Sequence, residues 1–257
     1  MRPFILSMAR RNHHNLDPDG DVLLTLHNPN APFAVWDPDW YKDVPSSPLP
    51  EQNDAKSQNS DRSEFNDQTQ PEAHSETGQS SPASDQPSTT STSPSSSQVK
   101  FRVSSKHLCL ASEYFKRLLQ GPWKEATSTS EDGLRHVDAY HWDQEAMLTL
   151  MQIIHGRNYH LPLYPTLEYL AKIAVLVDYY QCHEAVSLWA GKWLLSINIA
   201  NVFDRDTILT ILVGQVFKES GLSEKAARVA MRECPGKLPT LGLPITTVAG
   251  GLGSDIY

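Results

Sequence analysis

Three cysteines and ten histidines are among the residues of this chain that could act as nucleophiles, bases or metal ligands. Cys182 and His183 place a thiol directly beside an imidazole, the two groups that a Cys/His hydrolase combines. Consecutive residues on a helix project about 100° apart, so this thiol and this ring are not expected to face each other. No Gly-x-Ser-x-Gly, His-Glu-x-x-His, Walker or Gly-x-Gly-x-x-Gly motif accompanies them. We therefore expect no catalytic residue and no cofactor, and a hydrolase is the least favoured alternative.

Histidines recur five residues apart in two places, at His136 and His141 and again at His155 and His160. A structural zinc site usually adds a pair of closely spaced cysteines, whereas the three cysteines of this chain are widely separated. We therefore expect no metal site. An odd number of dispersed cysteines also argues against a disulfide framework and is typical of a reducing compartment. The sequence thus favours an intracellular protein, in the cytoplasm or the nucleus.

The formal net charge of the chain is -8, but the charge is unevenly distributed. Residues 43–98 contain nine acidic and two basic residues, which leaves a net charge of -1 for the remainder. The largest basic cluster, Lys100, Arg102 and Lys106, has the alternation of a solvated strand face rather than a basic surface interleaved with aromatic residues. We therefore expect no nucleic-acid binding. No apolar run approaches the roughly 20 residues that span a bilayer, so membrane binding is not expected either.

Hydrophobic periodicity predicts the elements that must position these residues. Strand-like apolar patterns lie over 21–27, 99–103 and 134–138. Helical spacing predicts helices over 104–121, 143–155, 166–181, 185–195, 204–219 and 223–234, with N-caps at Asp143 and Ser223. Because most of the helices follow the last strand, the order indicates an α+β fold, with a helical cluster against a small mixed sheet.

Residues 42–98 differ in composition from the rest of the chain. Ser, Thr, Gln, Asn, Pro and acidic residues dominate, and the only large apolar residue of the central part is Phe65. Such a segment cannot bury enough apolar surface to offset about 1–2 kcal/mol of backbone entropy for each ordered residue. We predict a long disordered insertion. Its Ser-Pro steps at Ser47, Ser81 and Ser93 suit proline-directed kinases, although a Ser- and Pro-rich composition produces such steps by itself.

These patterns divide the chain into six segments. They are an N-terminal tail at 1–20, the first part of the folded domain at 21–41, the insertion at 42–98, the main part of the domain at 99–198, a C-terminal helical extension at 199–236 and a flexible tail at 237–257. The chain therefore leaves its sheet after the first predicted strand and returns to it after the insertion. Loop-closure entropy grows only slowly with loop length, so this excursion is tolerable.

Short motifs spread along the chain resemble the BTB/POZ family and occur in the same order. They are Asp21-Val-Leu-Leu24, Lys100-Phe-Arg-Val103, Leu108-x-x-x-Ser112-x-x-Phe115, Trp123-Lys124-Glu125, Val137-Asp138, Ile154-His155-Gly156 and Val177-Asp178-Tyr179-Tyr180. The stretches 28–36 and 173–180 look like the subgroup common in filamentous fungi. Three departures stand out, and in one of them the family's Tyr-Thr-Gly after its third helix is shortened to His155-Gly156. Ser104 replaces the histidine that the family has at the start of its first helix, and the insertion separates two strands that most members join by a tight turn.

The resemblance implies a non-enzymatic protein–protein interaction module, a scaffold that is often homodimeric. The candidate dimer-interface residues are Val22, Leu24, Leu108 and Leu118. Some members are substrate adaptors that dock a cullin scaffold for ubiquitin ligation, and these carry a hydrophobic-x-Glu step after the second helix. Trp123 and Glu125 would supply that step here as partner-binding residues. Alternatively, Trp123 covers the end of a helix and Glu125 is solvated, so the adaptor and the general association module both remain open.

Overall fold

The structure, a computed structural model, describes residues 12–40, 97–122, 130, 132–198 and 202–246. All of them belong to one compact unit. The three Ser-Pro steps and almost all of the predicted insertion lie outside the described residues, and so do the candidate partner-binding residues Trp123 and Glu125.

A four-stranded mixed sheet with the strand order β1-β3-β2-β4 forms one layer of this unit. Its strands are β1 His13–Asn15, β2 Val22–His27, β3 Gln98–Val103 and β4 Arg135–Tyr140. Strand β2 is antiparallel to β3 and parallel to β4, and β1 is parallel to β3. Together with the helices, this sheet confirms the predicted α+β class.

Strand β1 has no counterpart among the predicted strands. It lies within 1–20, so the assignment of that segment to a tail is wrong for these three residues. Their side chains are all polar and show no hydrophobic alternation. They join the sheet through backbone pairing with β3, and the ring of His14 stacks on that of Phe101 with centroids 5.2 Å apart.

Seven α-helices lie within the described residues. They are α1 Ser105–Ala111, α2 Glu113–Gln120, α3 Gln144–Ile154, α4 Leu167–Tyr180, α5 His183–Leu194, α6 Arg205–Val216 and α7 Ser220–Glu233. The Asp143 carboxylate accepts the backbone N–H groups of the first turn of α3, which confirms the predicted cap. Ser223 is not a cap, because α7 begins three residues earlier and the Ser223 hydroxyl donates to the Ser220 carbonyl within the helix. None of the helices in this part of the chain combines the length and apolarity that a membrane span requires.

The core lies between the inner face of the sheet and the helices. Strand β2 contributes Val22, Leu24 and Leu26, and β3 contributes Phe101, all of them fully buried. The same continuous cluster extends through α3, α4 and α6. One core therefore supports both the sheet and the helical layer.

Helix α6 belongs to this core, whereas α7 packs on α6 through a second, smaller apolar cluster. Nine of the twelve residues of α6 are buried, and α6 packs against both α4 and α7. Beyond α7, Leu243 is buried in the same cluster, and the side-chain amide of Gln215 exchanges two hydrogen bonds of 3.1 Å with the backbone of Thr246. The predicted flexible tail at 237–257 is therefore wrong for the residues up to 246.

Candidate association surface

Helices α1 and α2 form a short angled pair where the sequence pattern predicted one continuous helical stretch. The break is at Ser112, whose backbone is extended with φ -145° and ψ 119°. Its hydroxyl oxygen accepts the Phe115 N–H at 3.0 Å, which caps α2, and its O–H donates to the Tyr180 carbonyl at the end of α4. One serine therefore starts α2 and fastens the helix pair to α4.

The start of α1 is held by Asp21, which immediately precedes β2. The Asp21 carboxylate accepts both the backbone N–H and the hydroxyl of Ser105 at 2.8 Å and forms an ion pair with Arg135 of β4. Burial alone would raise the pKa of Asp21, but the hydrogen bonds from Ser105 and Arg135 outweigh it and lower this pKa to about 2. The carboxylate thus connects β2, β4 and α1.

A second anchor for α1 comes from His155, which follows α3. The Ser104 N–H donates to His155 Nε2 at 3.0 Å, and His155 Nδ1 lies 2.8 Å from the Met151 carbonyl. This pattern requires the neutral ring with its proton on Nδ1. Burial lowers the pKa of His155 below its ordinary value, in keeping with a neutral ring. His155 therefore acts here as a structural acceptor.

Between these anchors, Leu110 projects from α1 with 88% of its surface exposed. It lines a shallow groove of about 380 Å³ between the two helices. The groove is lined by Lys106, Cys109, Leu110, Glu113, Lys116 and Gln120, which together define the α1–α2 face. Lys116 and Glu113 form an exposed ion pair at 3.3 Å. The face therefore has an apolar centre with charged residues around it.

Cys109 contributes apolar surface to this face rather than a reactive thiol. Its thiol is partly buried and lies 3.8 Å from the Phe115 carbonyl. Burial raises the pKa of Cys109 above its ordinary value, whereas a nucleophilic cysteine needs a lowered one.

Three of the four predicted interface residues are wrong. Val22, Leu24 and Leu108 are fully enclosed by their own chain, so their side chains have no surface to offer a second copy. Leu118 is partly buried against the core, and its assignment stays a prediction. Because residues two apart on a helix project about 200° apart, an inward Leu108 places Leu110 on the outside. That spacing was the signal in the sequence for the exposed leucine.

The candidate partner-binding residues follow α2 in the chain, outside the described residues. Helix α2 ends at Gln120, and the N–H of Gly121 donates to the Arg117 carbonyl. Trp123 lies three residues beyond Gln120 and Glu125 five. Their assignment stays a prediction.

The Cys182–His183 pair lacks the geometry of a nucleophile and its base. Cys182 is buried at the start of α5, its thiol points to the Val177 carbonyl at 3.8 Å, and burial raises its pKa to about 12. His183 lies 4.0 Å from Asp178, and burial lowers the pKa of His183. A thiol that is both buried and protonated is not an effective nucleophile.

The predicted basic cluster is spread over two surfaces. Arg102 donates from Nε to the Gly20 carbonyl at 3.0 Å, beside β3, while Lys106 lines the α1–α2 face. Within the described ranges, no group of three or more His, Cys, Asp and Glu side chains is placed to hold a metal ion.

No protein-family model matches this chain, and no curated protein matches it either.

Proposed function

We propose that this chain is a non-enzymatic protein–protein interaction module of the BTB/POZ type, which self-associates through the α1–α2 face. The observation that carries the proposal is Leu110, a leucine exposed on a helix pair that is fixed at several points. Ser112, Asp21 and His155 hold the two helices to three other elements, so the face is formed before a partner arrives. A preformed surface loses little conformational entropy on binding.

The composition of the face suits a two-fold contact between identical chains. Burying a leucine side chain contributes roughly 1.5–3 kcal/mol, and a symmetric dimer buries each such residue twice. Around Leu110, Glu113 supplies one negative charge and Lys106 and Lys116 supply two positive charges, which allows reciprocal pairing across a two-fold axis. A stable interface buries about 800 Å² on each partner, so neighbouring residues of α1 and α2 must take part.

The matched test compares two exposed leucines by sedimentation velocity. Leu110→Asp places a charge at the centre of the proposed interface, whereas Leu188→Asp places the same charge on α5, where Leu188 is 82% exposed. We expect the first variant to weaken self-association at least about tenfold and the second to leave it unchanged. Equal effects of the two variants would contradict the proposed face.

A cullin adaptor is the second candidate function. It is favoured by the position of Trp123 and Glu125, which follow directly after α2, one of the two helices of the proposed interface. In this reading Trp123 fills an apolar pocket of the cullin and Glu125 orients the contact. Pull-down with purified cullin tests it. Binding of the cullin by the wild type and loss of binding in Trp123→Ala and Glu125→Ala would support the adaptor function. Unchanged cullin binding by both variants would contradict the proposed contact.

A further inference from the structure

Two histidines meet where α1 packs against the end of α3. The ring of His107, on α1, has its centroid 5.1 Å from that of His155, which follows α3. His107 is exposed and His155 is partly buried. His107 also lies three residues before Leu110 on the same helix. The His107–His155 pair therefore connects the end of α3 to the helix that carries the exposed leucine of the α1–α2 face.

The hydrogen bonds of His155 determine which protonation state this contact tolerates. Its Nε2 accepts the Ser104 N–H at 3.0 Å, and its Nδ1 carries the ring proton toward the Met151 carbonyl at 2.8 Å. A second proton on the ring has to bind to Nε2, where it would face the hydrogen of the Ser104 N–H. The positively charged ring therefore cannot keep the hydrogen bond to Ser104.

The surroundings of His155 oppose the positively charged ring on balance. Burial lowers the pKa of His155, and the positive charges of His107 on α1 and Arg157 after α3 lower it further. The hydrogen bond to the Met151 carbonyl and the charge of Asp17, between β1 and β2, act in the opposite direction. The neutral ring thus contributes stability that is present above pH 6.5 and is lost as pH falls through the lower folded pKa.

The other anchor of α1 does not respond in the same pH range. Burial raises the pKa of Asp21, but its hydrogen bonds with Ser105 and Arg135 outweigh burial and hold this pKa at about 2. The Asp21 carboxylate therefore stays charged in mild acid and keeps its two bonds to Ser105. Mild acid releases one of these two anchors, so α1 becomes less firmly held but stays attached to the fold.

We propose that the His107–His155 pair makes self-association sensitive to pH, so that the α1–α2 face binds a second copy in neutral solution and loses affinity in mild acid. This regulation rests on the proposed function. In neutral solution the bond from Ser104 holds α1. In acid that bond is lost, and the two protonated rings repel each other across the contact between α1 and α3. A second copy must then restore the order of α1 when it binds, which lowers affinity.

The symmetry of a dimer determines the size of the effect. An apparent dissociation constant equals the intrinsic constant divided by the fraction of molecules that is competent to bind. Both chains of a dimer must be competent, so this fraction enters twice. If about one third of the chains keep an ordered α1 in acid, the dissociation constant rises roughly tenfold.

Sedimentation velocity of the full chain over a concentration series at pH 7.5 and pH 5 tests the proposal. The readout is the ratio of each protein's own dissociation constants at the two pH values. We expect a ratio of roughly ten for the wild type and near one for His155→Gln, because the glutamine amide accepts the Ser104 N–H but does not titrate. His183→Gln is the matched control: burial also lowers the pKa of His183, on α5, and this variant should keep the ratio of the wild type. An unchanged dissociation constant in the wild type, or the wild-type ratio in His155→Gln, would overturn the proposal.

A second measurement follows α1 without any contribution from association. In Leu110→Asp, hydrogen exchange gives the protection factor of the Ser104 amide, which corrects for the intrinsic effect of pH on exchange. We expect this protection to fall severalfold from pH 7.5 to pH 5, and to stay constant when His155→Gln is added. Constant protection in Leu110→Asp itself would contradict the proposed cause. A wild type that is monomeric at pH 7.5 would contradict the interface as well, whereas a dimer with a constant affinity would contradict only its regulation.

Discussion

The carboxylate of Asp21 accepts two hydrogen bonds from Ser105, one from its backbone N–H and one from its hydroxyl, although 84 residues separate the two in the chain. The predicted insertion lies between them. This pair therefore closes the unit at the point where β2 and α1 meet, and Arg135 joins the same carboxylate from β4. The helix that carries Leu110 begins at this contact, so the proposed interface depends on it.

We predict that Asp21→Asn lowers the free energy of unfolding by about 1 kcal/mol at pH 7. This figure allows for solvent screening, because the carboxylate side chain is half exposed. The folded pKa of Asp21 is about 2, below its ordinary value of 3.8, so its contribution is fully present above pH 3.8 and is lost as pH falls toward 2. Urea unfolding between pH 5 and pH 2 should show that the free energy of unfolding falls less with acid in the variant than in the wild type. An identical fall in the free energy of unfolding in both proteins would contradict stabilisation by the Asp21 carboxylate.

Ser112→Ala should destabilise the fold by roughly 1–2 kcal/mol. The substitution removes the cap of α2 and leaves the buried Tyr180 carbonyl without its hydroxyl donor. Ser187→Ala is the control, because the Ser187 hydroxyl is exposed on α5 and bonds only within that helix. Thermal unfolding of both variants checks the difference. A similar small effect of the two changes would show that Ser112 does not fasten the helix pair.

Protonation of His155 should weaken the start of α1. Its pKa is lowered from the ordinary value of 6.5, so the neutral ring contributes stability that is present above pH 6.5 and is lost as pH falls through the lower folded pKa. NMR titration should give a pKa below 6.5 for this ring, and amide exchange at Ser104 should accelerate at the same pH. A pKa at or above 6.5 would contradict the assigned acceptor role of Nε2.

Two glycines inside helices should respond oppositely to alanine. A Cβ at Gly214 of α6 would lie 2.7 Å from the Ser223 backbone nitrogen of α7, so Gly214→Ala should cost about 1–3 kcal/mol through overpacking. A Cβ at Gly191 of α5 meets no atom within 4 Å, so Gly191→Ala should stabilise by up to about 1 kcal/mol. Denaturant midpoints measure both. Equal tolerance at the two positions would disprove the close approach of α6 and α7.

Hydrophobic periodicity was sufficient to predict the strands and helices whose side chains are buried in a regular pattern. The alternation in 99–103 and the helical spacing after Asp143 predicted β3 and α3 closely: β3 hides one face in the core, and eight of the eleven residues of α3 are buried. It failed for β1, whose three polar residues are held by backbone pairing that leaves no trace in side-chain pattern. It also failed for the tail up to 246, since a single buried Leu243 has no period.

The candidate surfaces were harder to predict than the elements. Three of the four apolar residues predicted for an interface, Val22, Leu24 and Leu108, are residues that the core itself requires. A surface leucine is separated from a core leucine only by its angle on the helix, as Leu110 and Leu108 of α1 show. The edge-to-face contact between Trp36 and Phe203 joins residues that are far apart in the sequence, so local spacing could not reveal it.

Self-association is the central claim, and light scattering of the purified full chain at micromolar concentration tests it most directly. We expect the wild type to elute with twice the chain mass of 28.7 kDa and Leu110→Asp to elute with a single chain mass while keeping the same circular dichroism spectrum. A strictly monomeric mass for the wild type across this range would contradict the proposal.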